Sequence, residues 1–143
     1  MSYDLKIING DIAFQNGDLS LVQDSEKLIQ DILKICLTDA GSNPMNPAYG
    51  SYVSRAVIGS SLESEILVTL ATSQLNSALE NLKLLQDMQV KSFQKVSADE
   101  LISAITGISV VRNRINPTLF DVRIAVVSKG YKPVTTQFSI NTI

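Results

Sequence analysis

The sequence predicts an α+β domain in which two main helices pack on one face of a small antiparallel or mixed sheet, behind an N-terminal meander of short strands. Two observations support this class. Short strand-like runs occupy both ends of the chain, and two longer segments between them carry apolar residues at helical spacing. The 143 residues, 45% of them hydrophobic, suit a single domain spanning 1–143 with its own core.

The first part of the chain predicts the meander. Asn9-Gly10 and Asn16-Gly17 separate short runs in which apolar and polar residues alternate, and Asn-Gly is the strongest short-range hairpin signal. Strands this short are unstable alone, so we expect the meander to pack against a helix. Our interpretation includes no internal repeat, low-complexity tract or linker.

Two segments predict helices. The first, DSEKLIQDILKICLT, is apolar over nearly half its surface, with Asp24 or Ser25 as the candidate N-cap. The second covers 60–88, and Ser60 with Glu63 has the spacing of a capping box. Its apolar stripe consists of Leu67, Ala71, Leu75, Ala78, Leu82 and Leu85. Such a stripe is more often core than interface, and both roles stay open.

The last part of the chain predicts three strands after a short helical turn at ADELISAI. They are ITGISVVRNRIN, LFDVRIAVVS and PVTTQFSINTI, with turns at 116–118 and 129–130. Alternation places one set of apolar residues on a common face: Phe120, Val122, Ile124 and Val126, followed by Val134, Phe138 and Ile140. The final strand is a candidate sheet edge, which would offer unpaired backbone groups to another chain.

The composition argues against several classes of function. Histidine is absent and Cys36 is the single cysteine, so we expect no metal site, no cofactor and no intrachain disulfide. A net charge of −2 gives no global attraction to nucleic acid or to an anionic membrane. The N-terminal residues lack a basic region followed by an apolar run, so we expect no secretory signal. The most apolar stretch, from Ile66, is too short and too polar to span a bilayer.

We expect no catalytic residues and no small-molecule substrate. Each of the 14 acidic residues has an explanation in a helix start, a polar face or a turn, and no pair stands out as a glycosidase pair. Cys36 lies on the apolar side of the first helix without a histidine to activate it. No serine lies in a Gly-x-Ser-x-Gly setting, and TGISVVRNR lacks the glycines and lysine of a phosphate loop.

Two groups of residues are candidates for binding. Arg112, Arg114 and Arg123 would contact phosphate or acidic protein if they shared a sheet face, or would simply face solvent. Tyr49 and Tyr52, in the loop TDAGSNPMNPAYGSY, either anchor a partner or cap the core beneath that loop.

The order of these features resembles the baseplate wedge and sheath-initiator family of contractile phage tails and related contractile injection systems, sometimes filed as lysozyme-like. Two Gly-Asp steps precede LSLV, and a helix carrying LIQDILKICLT, a loop glycine and NPAYGS follow, so the similarity covers nearly the whole chain. The most specific positions are Gln30, Leu37-Thr38, Gly41 and Pro47-x-Tyr49-Gly50. Many members carry a Glu-Pro-Arg-like or Glu-Arg segment after the loop glycine, whereas this chain has Ser42-Asn43-Pro44-Met45 there.

The resemblance implies a structural virion component of the tail baseplate, assembled in the host bacterial cytoplasm, that nucleates the sheath by β-augmentation. The implied partners are the tail sheath protein and other baseplate wedge proteins, with tube or hub proteins as further candidates. The implied wedge-binding residues are Gly41, Pro44, Met45, Pro47, Tyr49, Gly50, Leu67, Leu75 and Leu82. The implied sheath-binding strands carry Phe120, Val122, Ile124, Val126, Val134, Phe138 and Ile140. Two alternatives stay open: a cell-wall-degrading lysozyme-like hydrolase, and a small protein-binding module unrelated to tails.

Overall fold

The structure is a computed structural model and describes residues 2–58 and 63–142. Six short strands come first: β1 (Tyr3–Leu5), β2 (Ile7–Ile8), β3 (Asp11–Ile12), β4 (Phe14–Gln15), β5 (Asp18–Leu19) and β6 (Leu21–Gln23). The helices are α1 (Asp24–Leu37), α2 (Val53–Val57) and α3 (Ser64–Lys91), followed by a 3-10 turn, Ala98–Glu100. The long strands are β7 (Ile102–Arg112), β8 (Leu119–Ser128) and β9 (Pro133–Asn141). The predicted α+β class is confirmed.

The short strands form three antiparallel arms that meet at one junction. β1 pairs with β6, β2 with β3, and β4 with β5. At the junction, the N–H of Lys6 donates to the carbonyl of Ser20 (2.8 Å), that of Ala13 to Lys6 (2.9 Å), and that of Ser20 to Ala13 (2.9 Å). We call residues 3–23 the three-arm module. The hairpins predicted at the two Asn-Gly pairs are present, but they radiate from a common point instead of forming a linear meander.

A seven-residue repeat, which was not predicted, builds two of the arms. Residues 7–13 read IINGDIA and residues 14–20 read FQNGDLS. In both copies the Asn-Gly pair has positive φ at each residue, 52° and 81° in the first and 53° and 84° in the second. A type I′ turn requires this backbone, and it matches the twist of the two flanking strands. The interpretation that the chain contains no internal repeat is therefore wrong at this short scale.

The long strands form an antiparallel sheet in the order β7-β8-β9, with β8 in the centre. α3 packs over β7 and α1 over β9, and both helices contribute to one core cluster with the sheet. The face that meets them carries the predicted apolar positions of β8, all at most 2% exposed: Phe120, Val122, Ile124 and Val126. Two helices on one sheet face is the predicted arrangement, and it leaves the opposite face in solvent.

The helix starts differ from the prediction. Asp24 is the first residue of α1 rather than its cap, has φ 51°, and accepts a hydrogen bond from Ser97 Oγ at 2.7 Å. Its carboxylate thus ties the start of α1 to the segment before β7. The Ser60 part of the predicted capping box lies outside the described residues. A capping box that was not predicted joins Ser97 and Glu100.

Two buried glutamines join the helices to neighbouring backbone. Gln30 of α1 donates from Nε2 to the carbonyl of Leu5 (2.8 Å) and accepts from the N–H of Ile7 at Oε1 (2.9 Å). Gln86 of α3 likewise donates from Nε2 to the carbonyl of Glu100 (3.0 Å) and accepts at Oε1 from the N–H of Ile102 (2.8 Å). In each case one amide satisfies the C=O of a residue and the N–H two positions later. The side chain therefore replaces a paired strand at that point.

Candidate functional site

The outer edge of β9 is the first candidate surface. β8 is paired on both sides, whereas β9 is paired only with β8 among the described residues. The phase of this ladder follows from the hydrogen bonds at its two ends, Ser128 N–H to Lys132 O (3.0 Å) and Thr142 N–H to Thr118 O (2.8 Å). Hydrogen-bonded pairs alternate in an antiparallel ladder, so the even-numbered residues of β9 bond to β8. The N–H and C=O groups that point outward belong to Thr135, Gln137 and Ser139.

The two edges of the sheet differ in regularity. The β8–β9 register runs without a shift from Leu119↔Asn141 to Val127↔Pro133. The β7–β8 register shifts twice, between Ile102 and Ala104 and again before Gly107. Bulges of this kind disrupt a ladder and are one way in which proteins protect an edge from strand addition. β9 is thus the more regular of the two edges.

The residues that mark the predicted sheath-binding strands have side chains on the buried sheet face and not at its edge. The four on β8 belong to the central strand, so their backbone cannot accept another strand. This corrects the assignment of Phe120, Val122, Ile124 and Val126 to a strand-accepting site. Val134, Phe138 and Ile140 do lie on β9, where the backbone and not their side chains faces the open edge.

An apolar cleft of about 410 Å³ adjoins this edge. Leu33 and Leu37 of α1 form one wall, Ile7 of the β2–β3 arm a second, and Gln137 with Phe138 of β9 a third. We call this cleft the edge groove. The sequence did not predict this groove, because its walls come from three parts of the chain that are distant in sequence.

The loop between α1 and α2 is closed at its base. Asp39 and Ser51 form a parallel bridge, the N–H of Ser51 donates to Thr38 O at 2.8 Å, and the N–H of Ala40 donates to Ser51 O at 3.0 Å. The hydroxyl of Ser51 also donates to the carbonyl of Cys36 at 2.7 Å. The loop is therefore a compact projection with adjacent ends, a form common among functional loops.

The predicted loop residues divide into two groups. Gly50 has φ 115°, and a Cβ there would lie 2.5 Å from the carbonyl oxygen of Thr38, so only glycine fits. Tyr49 is half-buried against the core, and this burial raises the pKa of its hydroxyl. Both hold the base of the loop, which supports the capping role for Tyr49. The exposed members, which a partner can reach, are Gly41, Pro44, Met45 and Pro47.

The apolar stripe of α3 lies in the core. Leu67, Leu75 and Leu82 are 3%, 0% and 6% exposed, so their side chains cannot reach a partner in this fold. The exposed large apolar side chains of α3 include Leu84 and Met88, on the turns nearest the loop. If α3 contacts a wedge protein, these residues offer the accessible surface.

The three arginines do not share a sheet face. Arg112 pairs with Phe120, and its guanidinium lies 5.2 Å from the centroid of that ring. Arg123 pairs with Ser109. Arg123 lies three residues from Phe120 on β8, and Ser109 lies three residues from Arg112 on β7, so the two pairs point to opposite faces of the sheet. Arg112 therefore lies toward the helix side and Arg123 toward solvent, so the sheet presents no three-arginine surface.

The densest charge cluster joins α1 to the three-arm module. Lys34 Nζ lies 2.5 Å from Asp4 Oδ2 and 3.2 Å from Asp31 Oδ1, and Lys27 Nζ lies 2.9 Å from Asp31 Oδ2. Burial alone would raise the pKa of Asp4, but the hydrogen bond and charge of Lys34 more than offset it and hold that pKa below its usual value. Because Asp4 is ionised and lysine-paired, it is unsuited to act as a general acid.

The most buried carboxylate and the single thiol are both enclosed. Glu100, 2% exposed, accepts hydrogen bonds from Ser2 Oγ (2.7 Å), the Ser2 N–H (3.2 Å) and the Ser97 N–H (3.1 Å). Burial raises the pKa of Cys36 to about 12, which disfavours the reactive thiolate. Residues 2–58 and 63–142 contain no group of three acidic or cysteine side chains that could hold a metal, and no helix there could cross a membrane.

Comparison with known proteins gives a match in fold. No protein-family model matches the chain, and no curated sequence matches it significantly. Its fold matches the crystal structure of a "putative tail lysozyme" from Geobacter sulfurreducens with a TM-score of 0.61 and 13% sequence identity. The match covers 82% of this chain and 90% of that one. At this identity the finding is a shared fold.

Proposed function

We propose that this chain is a phage-tail component, specifically a structural baseplate wedge protein that nucleates sheath assembly by accepting a strand at β9. The fold shared with a protein described as a tail lysozyme supports a tail-related role. The order of sequence features supports the narrower assignment to sheath initiation. The observation that carries the mechanism is the regular pairing of β9 on one side only, among the described residues.

In this mechanism a strand from the first sheath ring pairs with the outward backbone of β9. The N–H and C=O groups of Thr135, Gln137 and Ser139 form the new ladder, and the sheet grows from three strands to four. Main-chain hydrogen bonds supply affinity, and the alternation of side chains sets the register. In this proposal the protein acts only by assembling with its partners, without catalysis, a cofactor or a small-molecule substrate.

The exposed loop supplies the second contact, to another wedge protein. Pro44, Met45 and Pro47 project from a base held by Tyr49 and Gly50. Met45 is 91% exposed, and an unbranched thioether adapts well to a partner surface. Since the loop lacks the charged pair of many family members, docking through it rests on apolar and backbone contacts. The protein would then reside in the tail baseplate of the virion, after assembly in the bacterial cytoplasm.

A proline at Gln137 tests the strand-addition mechanism. The N–H of Gln137 points outward, so Gln137→Pro removes a donor for the incoming strand without removing a bond to β8. A proline at Phe138 or Ile124 would instead break the sheet itself. Leaving one carbonyl of the incoming strand unpaired costs about 1–3 kcal/mol, which lowers affinity about 5- to 150-fold.

The assay is titration of the cognate sheath protein by biolayer interferometry, with co-sedimentation of assembled rings as a second readout. Gln137→Ala controls for loss of the side chain, and circular dichroism confirms that each variant is folded. If a folded Gln137→Pro variant binds sheath as tightly as Gln137→Ala, strand addition at β9 is refuted. If wild-type protein does not associate with sheath or wedge proteins at all, the small unrelated binding module is the better account.

The second candidate function is a cell-wall hydrolase, which the description of the structural neighbour favours. It requires two carboxylates in one accessible cleft, and Asp4 with Asp31 is the nearest arrangement. Incubation of the purified protein with peptidoglycan decides the matter. Sustained turnover that Asp4→Asn or Asp31→Asn abolishes would replace the structural proposal.

A further inference from the structure

We infer that the edge groove is a socket that selects the strand added to β9 by requiring a large aliphatic or aromatic side chain beside Phe138. The inference rests on the proposed strand addition and adds to it the chemistry of the partner strand. It also fixes the register, because a strand shifted by one residue would present the wrong face to the socket.

The geometry of strand pairing directs one partner residue into the groove. Phe138 bonds to β8, so in an antiparallel fourth strand its new neighbour would form a non-hydrogen-bonded pair, in which side chains approach most closely. Paired residues share a sheet face, so this neighbour points to the side of the sheet that α1 covers. The edge groove lies on that side, between α1 and the β2–β3 arm.

The walls of the groove suit an apolar group. Leu33 and Leu37 lie one helical turn apart on α1, and Ile7 faces them from the three-arm module. Leu37 is 56% exposed and Ile7 is 43% exposed, so both have apolar surface left to bury. The groove has a volume of about 410 Å³, which is the volume of roughly 14 water molecules in the liquid at about 30 Å³ each. This space accommodates a large side chain.

The charge near the groove is already neutralised. Lys34 also lines it, but Asp4 and Asp31 hold the ammonium group at 2.5 and 3.2 Å. An acidic residue from a partner would therefore gain little from Lys34 and would lose hydration on entering. An uncharged apolar side chain loses no such hydration.

The backbone of Gln137 identifies the occupant as an extended strand. Gln137 lines the groove, and its N–H and C=O point outward from the sheet edge. A helix laid across the groove would bury these groups without partners, because its own backbone is already bonded internally. An extended segment satisfies both groups and places alternate side chains into the socket.

The test compares two exposed leucines on helices. Leu37→Ser alters the groove, and Leu84→Ser is the matched control, since Leu84 is 61% exposed and lines a different cleft on α3. We expect Leu37→Ser to weaken binding of the cognate sheath protein by about tenfold or more, and the control by less than about twofold. Ile7→Ser, on the opposite wall, is expected to act as Leu37→Ser does, which guards against a fold defect in one variant.

The partner side completes the test. Hydrogen-exchange mass spectrometry of the complex identifies the sheath segment protected by β9, and each apolar residue of that segment is then changed to serine. We expect one position to dominate and to lose its effect in the Leu37→Ser background, as a shared contact requires. If Leu37→Ser matches Leu84→Ser while Gln137→Pro still weakens binding, the socket is refuted and strand addition stands. If wild-type protein shows no sheath binding, the proposed function itself fails.

Discussion

Replacing Gln30 by leucine should loosen the three-arm module while leaving the long sheet intact. Gln30 is 8% exposed, and its amide donates to Leu5 O and Asp4 Oδ2 and accepts from the N–H of Ile7. Leucine is close in volume and fits the space, but it can neither donate nor accept. The substitution therefore removes the amide hydrogen bonds between α1 and the first two arms with little change in packing, and leaves the Lys34–Asp4 pair in place.

The size of the effect follows from what is left unpaired. A backbone N–H or C=O group that loses its hydrogen-bond partner lowers the stability by about 1–3 kcal/mol when water cannot reach it. Leu5 and Ile7 are 36% and 43% exposed, so water can reach their backbone in part and the lower end applies. Asp4 keeps its bond to Lys34. Two backbone groups then give about 2 kcal/mol in favour of local opening, against a typical total stability of about 5–15 kcal/mol.

Native-state hydrogen exchange measures this opening directly. We expect amides of residues 3–23, Ile7 among them, to exchange about 30-fold faster in Gln30→Leu, since 1.4 kcal/mol corresponds to tenfold. Amides of β8 should keep wild-type rates. Gln74→Leu is the matched control, a half-buried glutamine of α3. Unchanged exchange in the module would refute the assignment of Gln30 as its polar anchor, and equal loss of protection in β8 would refute the local character of the effect.

Three further predictions concern the loop, the charge cluster and the thiol. Gly50→Ala should destabilise the fold by about 3 kcal/mol or more in urea titrations, and Gly41→Ala, with φ 86° and open space around its Cβ, by only about 1 kcal/mol. Because Lys34 lowers the pKa of Asp4, the pair stabilises the protein above the ordinary aspartate pKa of 3.8, and that contribution is lost as pH falls through the lower folded value. The partly exposed pair contributes at most about 1 kcal/mol. The difference in unfolding free energy between wild type and Asp4→Asn should therefore be at most about 1 kcal/mol at pH 6, and it should shrink as the pH falls below 3.8. Cys36, 1% exposed and with a pKa near 12, should resist iodoacetamide at pH 8 until the protein is unfolded in urea. A constant Asp4→Asn difference across pH, or rapid native labelling of Cys36, would contradict these expectations.

The elements that were predicted correctly are those with a local signal. The alternation of Val122, Ile124 and Val126 predicted a strand with one buried face, and the stripe through Leu67 and Leu75 predicted an amphipathic helix. The Asn-Gly pairs predicted two hairpin turns. In each case the relevant residues lie within a few positions of one another, so their periodicity or turn chemistry is readable along the chain.

The errors and omissions concern relations between distant residues. Arg112 and Arg123 face opposite sides because the register between β7 and β8 pairs Arg112 with Phe120 and Arg123 with Ser109. The joining of Lys6, Ala13 and Ser20 into a junction depends on three arms closing on one another. Neither relation has a signature in the spacing of residues along one strand.

The sequence alone therefore determined the class of the fold, the amphipathic faces of its helices and strands, and the absence of histidine and of a second cysteine from the chain. Only the tertiary structure decided that β9 carries the regular open edge, that β8 is closed on both sides, and that Ile7, Leu37 and Phe138 surround one groove. The physical reason is that local backbone geometry determines which face of a helix or strand a side chain lies on. Which strands lie next to each other depends instead on the free energy of the whole packed chain.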